Sequence, residues 1–312
     1  MKLSVALCTY NGENFIAEQL ESIARQTVLP DELIICDDRS ADQTVQILHE
    51  FANKAPFPVS IYHNETTLGV IRNFEQSISL CKGEYIALAD QDDVWLPEKI
   101  EKSLALIEGA QAQYAGEEVP LLVHTDLKVV DKQLKVISES FMHAQKLHNE
   151  DSKQALKTLL VQNYVTGCTV IINRKLKELA LPFPAGILMH DWWLALLAAA
   201  EGRIVFSAER TILYRQHGKN AVGAQKYFSR DNLRKVLAFR QMQEEIKQTI
   251  QQAAAFTRHK PAMRLRSREC IANYLANVHK QDYWPIFRAG IHKQGFLRNL
   301  IFYIFFISLD KE

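Results

Sequence analysis

Two groups of acidic residues could carry chemistry, and each one directly follows a short apolar run. The first group is Asp37-Asp38, and the second is Asp90-Gln91-Asp92-Asp93. Carboxylates separated by one residue, as in the second group, suit a hard divalent cation, because Mg²⁺ and Mn²⁺ prefer oxygen ligands and are usually shared between carboxylates and substrate phosphates. Such an ion neutralises charge as a diphosphate leaves. As a purely structural feature, the same spacing is an acidic turn that caps the helix expected at Pro97.

The first acidic group begins a polar stretch that offers a second binding function. A carboxylate accepts hydrogen bonds from a nucleobase N–H and from sugar hydroxyls, and Asp38 is the residue expected to do so. The structural alternative is an N-cap and a turn. Ser40 and Gln43 have the spacing of a capping box, so we expect Ser40 and Asp42 to cap the helix that follows.

The elements that position these groups follow from the hydrophobic pattern. The first hundred residues alternate strand and helix patterns, which predicts a parallel sheet with helices on its faces. The expected strands are Leu3–Cys8, Leu33–Cys36, Val59–Tyr62 and Tyr85–Ala89. Both acidic groups therefore lie at C-terminal strand ends, the edge at which open α/β sheets bind ligands.

From about Leu121 the pattern becomes mixed. We expect further strands at 121–125, 169–172, 204–206 and 212–214, and an Ala/Leu-rich helix from Asp191 to Glu201 that Gly202 ends. Beyond about Tyr227 the chain is charged, rich in glutamine and helical in pattern. The chain is thus expected to form one α/β domain followed by a helical region.

Composition excludes several classes of protein. The 37 basic and 36 acidic residues leave a net charge of +1, which argues against a nucleic-acid partner. Five scattered cysteines without a C-x-x-C spacing argue against a disulfide framework or a zinc site and favour a reducing cytoplasm. The residues after Met1 enter a strand pattern directly, so no secretory signal is expected.

Two nucleotide-binding classes are disfavoured by the first strand-to-helix turn. It contains only Gly12, so neither the G-x-G-x-x-G of a nicotinamide-binding domain nor a P-loop is present. A nucleotidyltransferase also uses paired carboxylates and a metal, but it would need a basic group near this turn to hold a triphosphate. None occurs there.

The segment Leu300–Ile307 is almost wholly apolar and aromatic and follows Arg288, Lys293 and Arg298. It is too short to span a membrane, which needs about 20 apolar residues. Two interpretations stay open: a helix that packs on the core, and a helix that lies in the interface of the inner face of the plasma membrane.

Four motifs together resemble the family 2 glycosyltransferases. They are Cys8–Gly12, Asp37–Ser40 with Asp42 and Thr44, Asn64 with Gly69 and Asn73, and Asp90–Asp93. The match covers roughly residues 1–220. It implies a GT-A fold, a Rossmann-like α/β fold with a mixed central sheet, over residues 1–225. Within it, 1–110 would bind the nucleotide sugar and 111–225 the acceptor; 226–312 would be the C-terminal helical region.

The resemblance also implies roles for individual residues. Asp38 contacts the nucleobase, Asp90 contacts the ribose or sugar of the donor, and Asp92 binds a Mg²⁺ or Mn²⁺ ion. The other residues expected to bind the nucleotide sugar are Thr9, Tyr10, Asn11, Ser40, Asn73 and Gln91.

Two further segments extend the resemblance. Met189–Trp193 is similar to the family's acidic motif, which makes Asp191 the base that deprotonates the acceptor hydroxyl. Tyr214–Asn220 resembles a segment of the rhamnosyltransferase-like branch, in which His217 binds the metal or the diphosphate. The structural alternatives are an N-cap for Asp191 and a histidine at a strand end for His217.

The acceptor or sugar pocket has four candidate residues, and each has a structural alternative. His124 and Asp126 follow a middle strand and form either this pocket or a polar edge of the sheet. Trp192 and Trp193 provide either an apolar platform for a sugar or core packing.

The implied reaction is a single displacement at the anomeric carbon with inversion. The expected donor is dTDP-L-rhamnose, with a UDP-hexose or UDP-N-acetylhexosamine as the alternative. The expected acceptor is a glycan or lipid-linked oligosaccharide of a surface polysaccharide. A non-catalytic carbohydrate-binding protein on the same fold is the competing class, and the joint presence of Asp38, Asp92 and Asp191 argues against it.

Overall fold

The computed structural model describes residues 2–114, 118–217, 232–259, 264–280 and 282–307, without the side chains of 232–242, 279 and 305–307. Within these residues nine strands form one mixed sheet. In chain order they are β1 (Leu3–Thr9), β2 (Glu32–Asp37), β3 (Val59–His63), β4 (Tyr85–Asp90), β5 (Val94–Trp95), β6 (Leu121–Val130), β7 (Val136–Ser138), β8 (Ile171–Asn173) and β9 (Arg203–Arg215). Their spatial order is β3-β2-β1-β4-β8-β6-β9-β5, with β7 paired to β6.

Twelve helices occur within the described residues. They are α1 (Ile16–Ala24), α2 (Thr44–Ala52), α3 (Val70–Leu80), α4 (Lys99–Ala112), α5 (Phe141–Ala144), α6 (Ala155–Leu159), α7 (Arg174–Ala180), α8 (His190–Glu201), α9 (Asn232–His259), α10 (Leu265–His279), α11 (Tyr283–Arg288) and α12 (Phe296–Ile307). A 3-10 turn at Gly167–Thr169 precedes β8. The helical C-terminal region is thereby confirmed. No described helix is long and apolar enough to cross a membrane.

The register of the first strands brings the two acidic groups together. β1 runs parallel to both β2 and β4, so that Thr9 lies opposite Asp37 and Cys8 lies opposite Asp90. The chain proceeds from β1 outward to β3 and then crosses to the other side of β1 to form β4. This reversal opens a crevice at the carboxyl ends of β1 and β4, where open α/β sheets bind ligands.

Side chains alternate along β1 and supply two apolar cores on opposite sides of the sheet. Val5 and Leu7 belong to the core that holds α1, α2 and α4. Ala6 and Cys8 belong to the core that holds α3 and α8 and also receives the buried side chains of α9, α10 and α12. The C-terminal helices therefore complete one of the two cores.

Several boundaries differ from those that the sequence predicted. β9 is one continuous strand, because its pairing with β6 continues across a register shift where two separate strands were expected. The short β5 was not predicted, and α4 begins at Lys99 rather than at Pro97. The boundary between 1–225 and 226–312 stays a prediction, since residues 218–231 lie outside the described residues.

The predicted capping box at α2 is wrong. Ser40 does not cap this helix: its hydroxyl donates to Asp37 Oδ1 at 2.6 Å and accepts the backbone N–H of Asn11 at 2.9 Å. Asp42 does form a hydrogen bond with the first residue of α2, because its Oδ1 accepts the Thr44 N–H at 3.0 Å. Ser40 thus ties the two loops that follow β1 and β2.

Candidate functional site

The loop after β4 concentrates negative charge. Burial, followed by the charges of Asp92 and Asp191, raises the pKa of Asp90 to about 8. The charges of Asp92 and of Asp191 in α8 therefore both act on the Asp90 carboxyl. Grouped acids that repel one another are stabilised by a cation or by protonation, so this edge of the sheet is suited to a metal ion.

Asp92 and His217 meet across this loop. The distance from His217 Nε2 to Asp92 Oδ2 is 2.8 Å, and both side chains are largely buried. The His217 ring stacks on Phe15, with 4.7 Å between centroids. His217 is therefore held beside Asp92, and its role as a ligand of the metal or the diphosphate stays a prediction. Gly218, Lys219 and Asn220 of its motif lie outside the described residues.

Arg215, at the end of β9, holds the loop that contains Asp92. Its Nε donates to the Asp92 carbonyl at 2.9 Å, its Nη1 donates to the Lys132 carbonyl at 2.7 Å, and its Nη2 pairs with the carboxylate of Glu18. The guanidinium also lies 4.8 Å from the centroid of the Phe15 ring. Arg215 is 1% exposed, so these contacts compensate a charge that is removed from water.

A metal ion fits the Asp92–His217 pair better than the neighbouring acidic cluster. Ligand atoms of Asp90, Asp93 and Cys168 lie within 4.8 Å of one another. However, that cluster includes the sulfur of Cys168, which is a soft ligand. Mg²⁺ and Mn²⁺ prefer oxygen ligands such as the Asp92 carboxylate, and the imidazole of His217 is a common metal ligand.

Asp38 lies under the loop between β3 and α3. Its Oδ1 accepts from Asn64 Nδ2 at 2.9 Å and from the Leu68 N–H at 2.7 Å, and its Oδ2 accepts from the Gly69 N–H at 2.8 Å. Asn73 continues this network, since its Oδ1 accepts from Asn64 at 2.9 Å. Asp38 and Asn73 thus fix the loop, and one acceptor position on Asp38 Oδ2 remains beyond these bonds.

The loop after β1 is held from both sides. Gln91 forms two hydrogen bonds with the backbone of Tyr10: its Oε1 accepts from the N–H at 2.9 Å and its Nε2 donates to the carbonyl at 3.0 Å. A Cβ at Gly12 would lie 2.2 Å from Gln91 Oε1, so glycine permits this approach. Thr9 donates to Asp37 at 2.8 Å, and the Asn11 side chain accepts the Ala41 N–H at 2.9 Å.

These bonds involve only the backbone of Tyr10 and leave its ring accessible to a ligand. Its side chain is 51% exposed, although its backbone is fixed by Gln91. An exposed aromatic ring on a rigid backbone offers a face on which a planar base can stack. The side chains of Thr9, Asn11, Ser40 and Gln91 form hydrogen bonds that hold the loops after β1 and β2, and their contact with a nucleotide sugar stays a prediction.

Asp191 lies in the first turn of α8 and is 8% exposed. Its carboxylate accepts from the N–H groups of Trp192 and Gly167 and, at 3.3 Å, from Asn163 Nδ2. Burial nevertheless raises its pKa to about 7. The predicted N-cap alternative is wrong, because Met189 precedes the helix and Asp191 is its second residue.

The four candidates for an acceptor pocket have different surroundings. Trp193 is fully buried and donates to the Ala180 carbonyl at 3.2 Å. It therefore packs in the core, which was the structural alternative to a sugar platform. Trp192 is partly buried and donates to the Leu159 carbonyl at 2.7 Å. His124 is buried, which lowers its pKa to about 4. Asp126 accepts the Met142 N–H at 3.1 Å and so fixes α5 on β6.

Sequence reasoning missed three residues that shape the site: Phe15, Gly167 and Arg215. Arg215 lies inside the motif that contains His217, and its charge beside an apolar strand was the available signal. Gly167 would place a Cβ 3.2 Å from Asp191 Oδ2, a proximity that no local pattern reveals. Phe15 immediately precedes α1, and its apolar side chain gives no local signal of its contact with His217.

Comparison with known proteins defines the class. Residues 4–178, more than half of the chain, match the family described as Glycosyl transferase family 2, and the chain belongs to this family. The fold is the GT-A fold of such enzymes.

Two individual relatives each match about 70% of this chain. An uncharacterized protein of Mycobacterium tuberculosis is 30% identical over 219 residues, which cover 69% of this chain and 59% of that protein, so the chain spans about three fifths of that relative's length. The dTDP-rhamnosyl transferase RfbG of Shigella flexneri is 28% identical over 235 residues, which cover 70% of this chain and 74% of the relative.

Among solved structures, the fold is similar to that of a mannosyltransferase from Pyrobaculum calidifontis in complex with GDP-Man and Mn²⁺. The TM-score is 0.57 at 16% identity, and the match covers 92% of this chain and 72% of the other.

Proposed function

We propose that this protein is an inverting, metal-dependent glycosyltransferase that moves a sugar from a nucleoside diphosphate to a glycan hydroxyl. The observation that carries the proposal is the contact of His217 with Asp92 at the carboxyl edge of the sheet, beside Asp90, whose pKa is also raised by the charge of Asp191. Membership of the family supports it. A buried carboxylate opposite a pair of metal-ligand residues provides a base for the acceptor and a site for the departing diphosphate.

Asp191 is the proposed general base. A carboxylate with a pKa of about 7 accepts a proton more readily than an ordinary aspartate and is still half ionised at neutral pH. The proton of the acceptor hydroxyl moves to an Asp191 oxygen while the hydroxyl oxygen bonds to the anomeric carbon and the bond to the diphosphate breaks. Attack from the face opposite the leaving group inverts the anomeric configuration.

Asp92 and His217 are the residues proposed to hold Mg²⁺ or Mn²⁺. When bound, such an ion stabilises the negative charge that develops on the leaving diphosphate. The Mn²⁺ of the Pyrobaculum structure supports a divalent ion in this fold. Arg215 serves this site by holding the Asp92 backbone, and Phe15 serves it by stacking on His217.

The donor is proposed to lie over the carboxyl ends of β1 and β4. Tyr10 offers its exposed ring to the nucleobase, and Asp38 offers its remaining acceptor position to a base N–H. Asp90 is the residue proposed to accept a hydrogen bond from a ribose or sugar hydroxyl. Thr9, Asn11, Ser40, Asn73 and Gln91 contribute by shaping the two loops that enclose the base.

dTDP-L-rhamnose is the proposed donor sugar nucleotide. Two features support it: the segment that contains His217, and the 28% identity to a dTDP-rhamnosyl transferase. A surface glycan or lipid-linked oligosaccharide is the proposed acceptor, and a cytoplasmic location fits the five cysteines, none of which forms a disulfide.

A panel of donors tests the donor assignment. The purified protein is incubated with Mn²⁺ and, in turn, with dTDP-rhamnose, UDP-glucose, UDP-N-acetylglucosamine and GDP-mannose, and the released nucleoside diphosphate is quantified. We expect dTDP release above all others. Turnover of a UDP-sugar without turnover of dTDP-rhamnose would refute the rhamnosyl assignment and leave the glycosyltransferase proposal standing.

A further inference from the structure

The last two helices carry an apolar surface that faces away from the core. α11 and α12 expose six large apolar side chains, which together are called the outer face: Trp284, Phe287, Phe296, Leu297, Leu300 and Ile304. Phe296 is 85% exposed and Trp284 is 56% exposed. Isolated exposed apolar residues are ordinary on protein surfaces, but several on two adjacent helices indicate a binding surface.

The opposite sides of the same helices are firmly attached to the protein. Ile286 of α11 and Phe302 of α12 are each 1% exposed and belong to the core that contains α8 and the sheet. Leu297, Leu300 and Ile304 follow one another at spacings of three and four and so form a separate stripe on α12. The helix is therefore apolar on two sides, of which the core covers only one.

Ring contacts join the exposed parts of the two helices. The rings of Trp284 and Phe287 stack with 5.8 Å between centroids, and Phe287 stacks on Tyr283 at 6.0 Å. Tyr283 in turn lies 4.3 Å from Tyr303 of α12. The α11 and α12 parts of the outer face are thus linked through Tyr283, which is itself buried.

Basic groups border this surface. Residues 282–307 contain three basic residues and the single acidic residue Asp282. The Arg288 guanidinium lies 5.1 Å from the centroid of the Trp284 ring, and Arg298 donates to the carbonyls of Gln145 and Lys146.

Two exposed positive charges, those of Arg288 and Lys146, thus belong to this region of the surface. Lys293 contributes less, because its ammonium turns towards the Phe302 ring at 5.6 Å and burial lowers its pKa. With three basic residues against the exposed Asp282, residues 282–307 carry a positive net charge.

We propose that the outer face docks this protein on an anionic lipid membrane, with α12 lying along the surface. Exposed apolar side chains enter the boundary between headgroups and acyl chains, and neighbouring arginine and lysine attract anionic headgroups. Trp284 and Tyr303 have the amphipathic rings that favour this boundary. A second copy fits less well, because a symmetric contact would bring Arg288 of both copies to one positive interface.

Vesicle co-sedimentation without donor or acceptor tests this inference separately from the proposed activity. The full chain is mixed with phosphatidylcholine vesicles, with or without phosphatidylglycerol. We expect binding to the anionic vesicles and about tenfold weaker binding after Phe296→Ser combined with Leu297→Ser, since both exposed side chains lose apolar area. The matched control is Val28→Ser with Leu29→Ser, an adjacent exposed apolar pair between α1 and β2, which should bind like the wild type.

Charge provides a second, independent variant. Arg288→Glu should weaken binding to anionic vesicles and leave the weak binding to phosphatidylcholine alone unchanged, and added salt should have the same effect. Equal sedimentation of wild type and the Phe296/Leu297 variant, or no binding of wild type to anionic vesicles, would overturn the inference. Sedimentation velocity completes the test, because a wild-type dimer that the Phe296/Leu297 variant dissociates would assign the surface to a second copy instead.

Discussion

Asp191 owes its proposed chemistry to its surroundings. It loses most of its hydration at the start of α8, yet its carboxylate keeps hydrogen bonds from Trp192, Gly167 and Asn163. Desolvation disfavours the charged form, and the hydrogen bonds favour it, so the pKa settles at about 7. An aspartate with an unshifted pKa would be ionised throughout the physiological range but would be a weaker base.

The first prediction concerns the pH dependence of transfer. Because the folded-state pKa of Asp191 is raised to about 7, the carboxyl is protonated below that pH and cannot accept the acceptor's proton. We expect kcat/KM to fall about tenfold per pH unit below this pKa and to level off above it, because kcat/KM reports the pKa values of the free enzyme. Steady-state rates at substrate concentrations well below KM measure this limb.

The control is Asp191→Asn, which keeps the shape of the side chain and removes its basicity. Its kcat should be lower by about 10²-fold or more, and the acidic limb should be missing from its profile. A wild-type profile without an acidic limb would remove Asp191 from the role of base.

At the scale of elements, the site depends on close contacts between segments that are distant in the sequence. The 3-10 turn before β8 touches the start of α8 at Gly167 and His190, and the end of β9 touches the loop after β4 through Arg215. Each contact fixes one functional side chain. Substitutions at these contacts should change catalysis or stability without touching a ligand.

Gly167→Ala tests the first contact. A Cβ at this position would lie 3.0 Å from His190 Nε2 and 3.2 Å from Asp191 Oδ2, so α8 must move slightly. We expect a loss of about 1–3 kcal/mol in the free energy of unfolding and a lower kcat, with the KM for donor unchanged.

Gly109→Ala in α4 is the matched control, because nothing lies within 4 Å of its Cβ position and alanine favours helix. Denaturant unfolding and steady-state kinetics of both variants provide the comparison. Equal kcat for Gly167→Ala and wild type would show that this contact does not position Asp191.

Arg215→Lys tests the second contact. Arg215 meets the Asp92 carbonyl, the Lys132 carbonyl and Glu18 with three different nitrogens, whereas lysine has a single nitrogen that cannot reach all three, and its ammonium would remain buried. We expect destabilisation by about 3 kcal/mol, since breaking a buried ionic network leaves a charge uncompensated. Thermal and denaturant unfolding measure it.

Glu18→Gln is the comparison for this prediction, because the Glu18 side chain is 54% exposed and its loss leaves the two carbonyl contacts in place. It should cost much less than Arg215→Lys. Similar losses for the two variants would mean that the ion pair, and not the carbonyl contacts, fixes Arg215.

At the scale of the whole molecule, both apolar cores form around a sheet whose carboxyl edge stays polar. The buried strands β1, β2 and β4 were predictable because their apolar runs end abruptly in polar residues. The acidic groups, the helix that begins near Asp191 and the helical C-terminal region followed from the same pattern.

What could not be predicted depends on tertiary contacts. β9 is one strand because its pairing with β6 continues across a register shift. Ser40 does not cap α2 because its hydroxyl forms hydrogen bonds with Asp37 and Asn11 instead. The buried position of Arg215 requires Glu18, which lies nearly two hundred residues earlier in the chain. Local periodicity contains no information about such partners.

The measurement that tests the central claim most directly is donor turnover with and without Mn²⁺, in the wild type and in Asp92→Asn. We expect metal-dependent release of one nucleoside diphosphate, about 10²-fold slower in Asp92→Asn because metal stabilisation of the leaving group is worth several kcal/mol. Asp151→Asn, an isosteric change at an exposed aspartate that accepts the Lys153 N–H, should match the wild type. Turnover that survives both chelation and Asp92→Asn would contradict the metal site, and absence of both turnover and nucleotide binding would contradict the glycosyltransferase proposal itself.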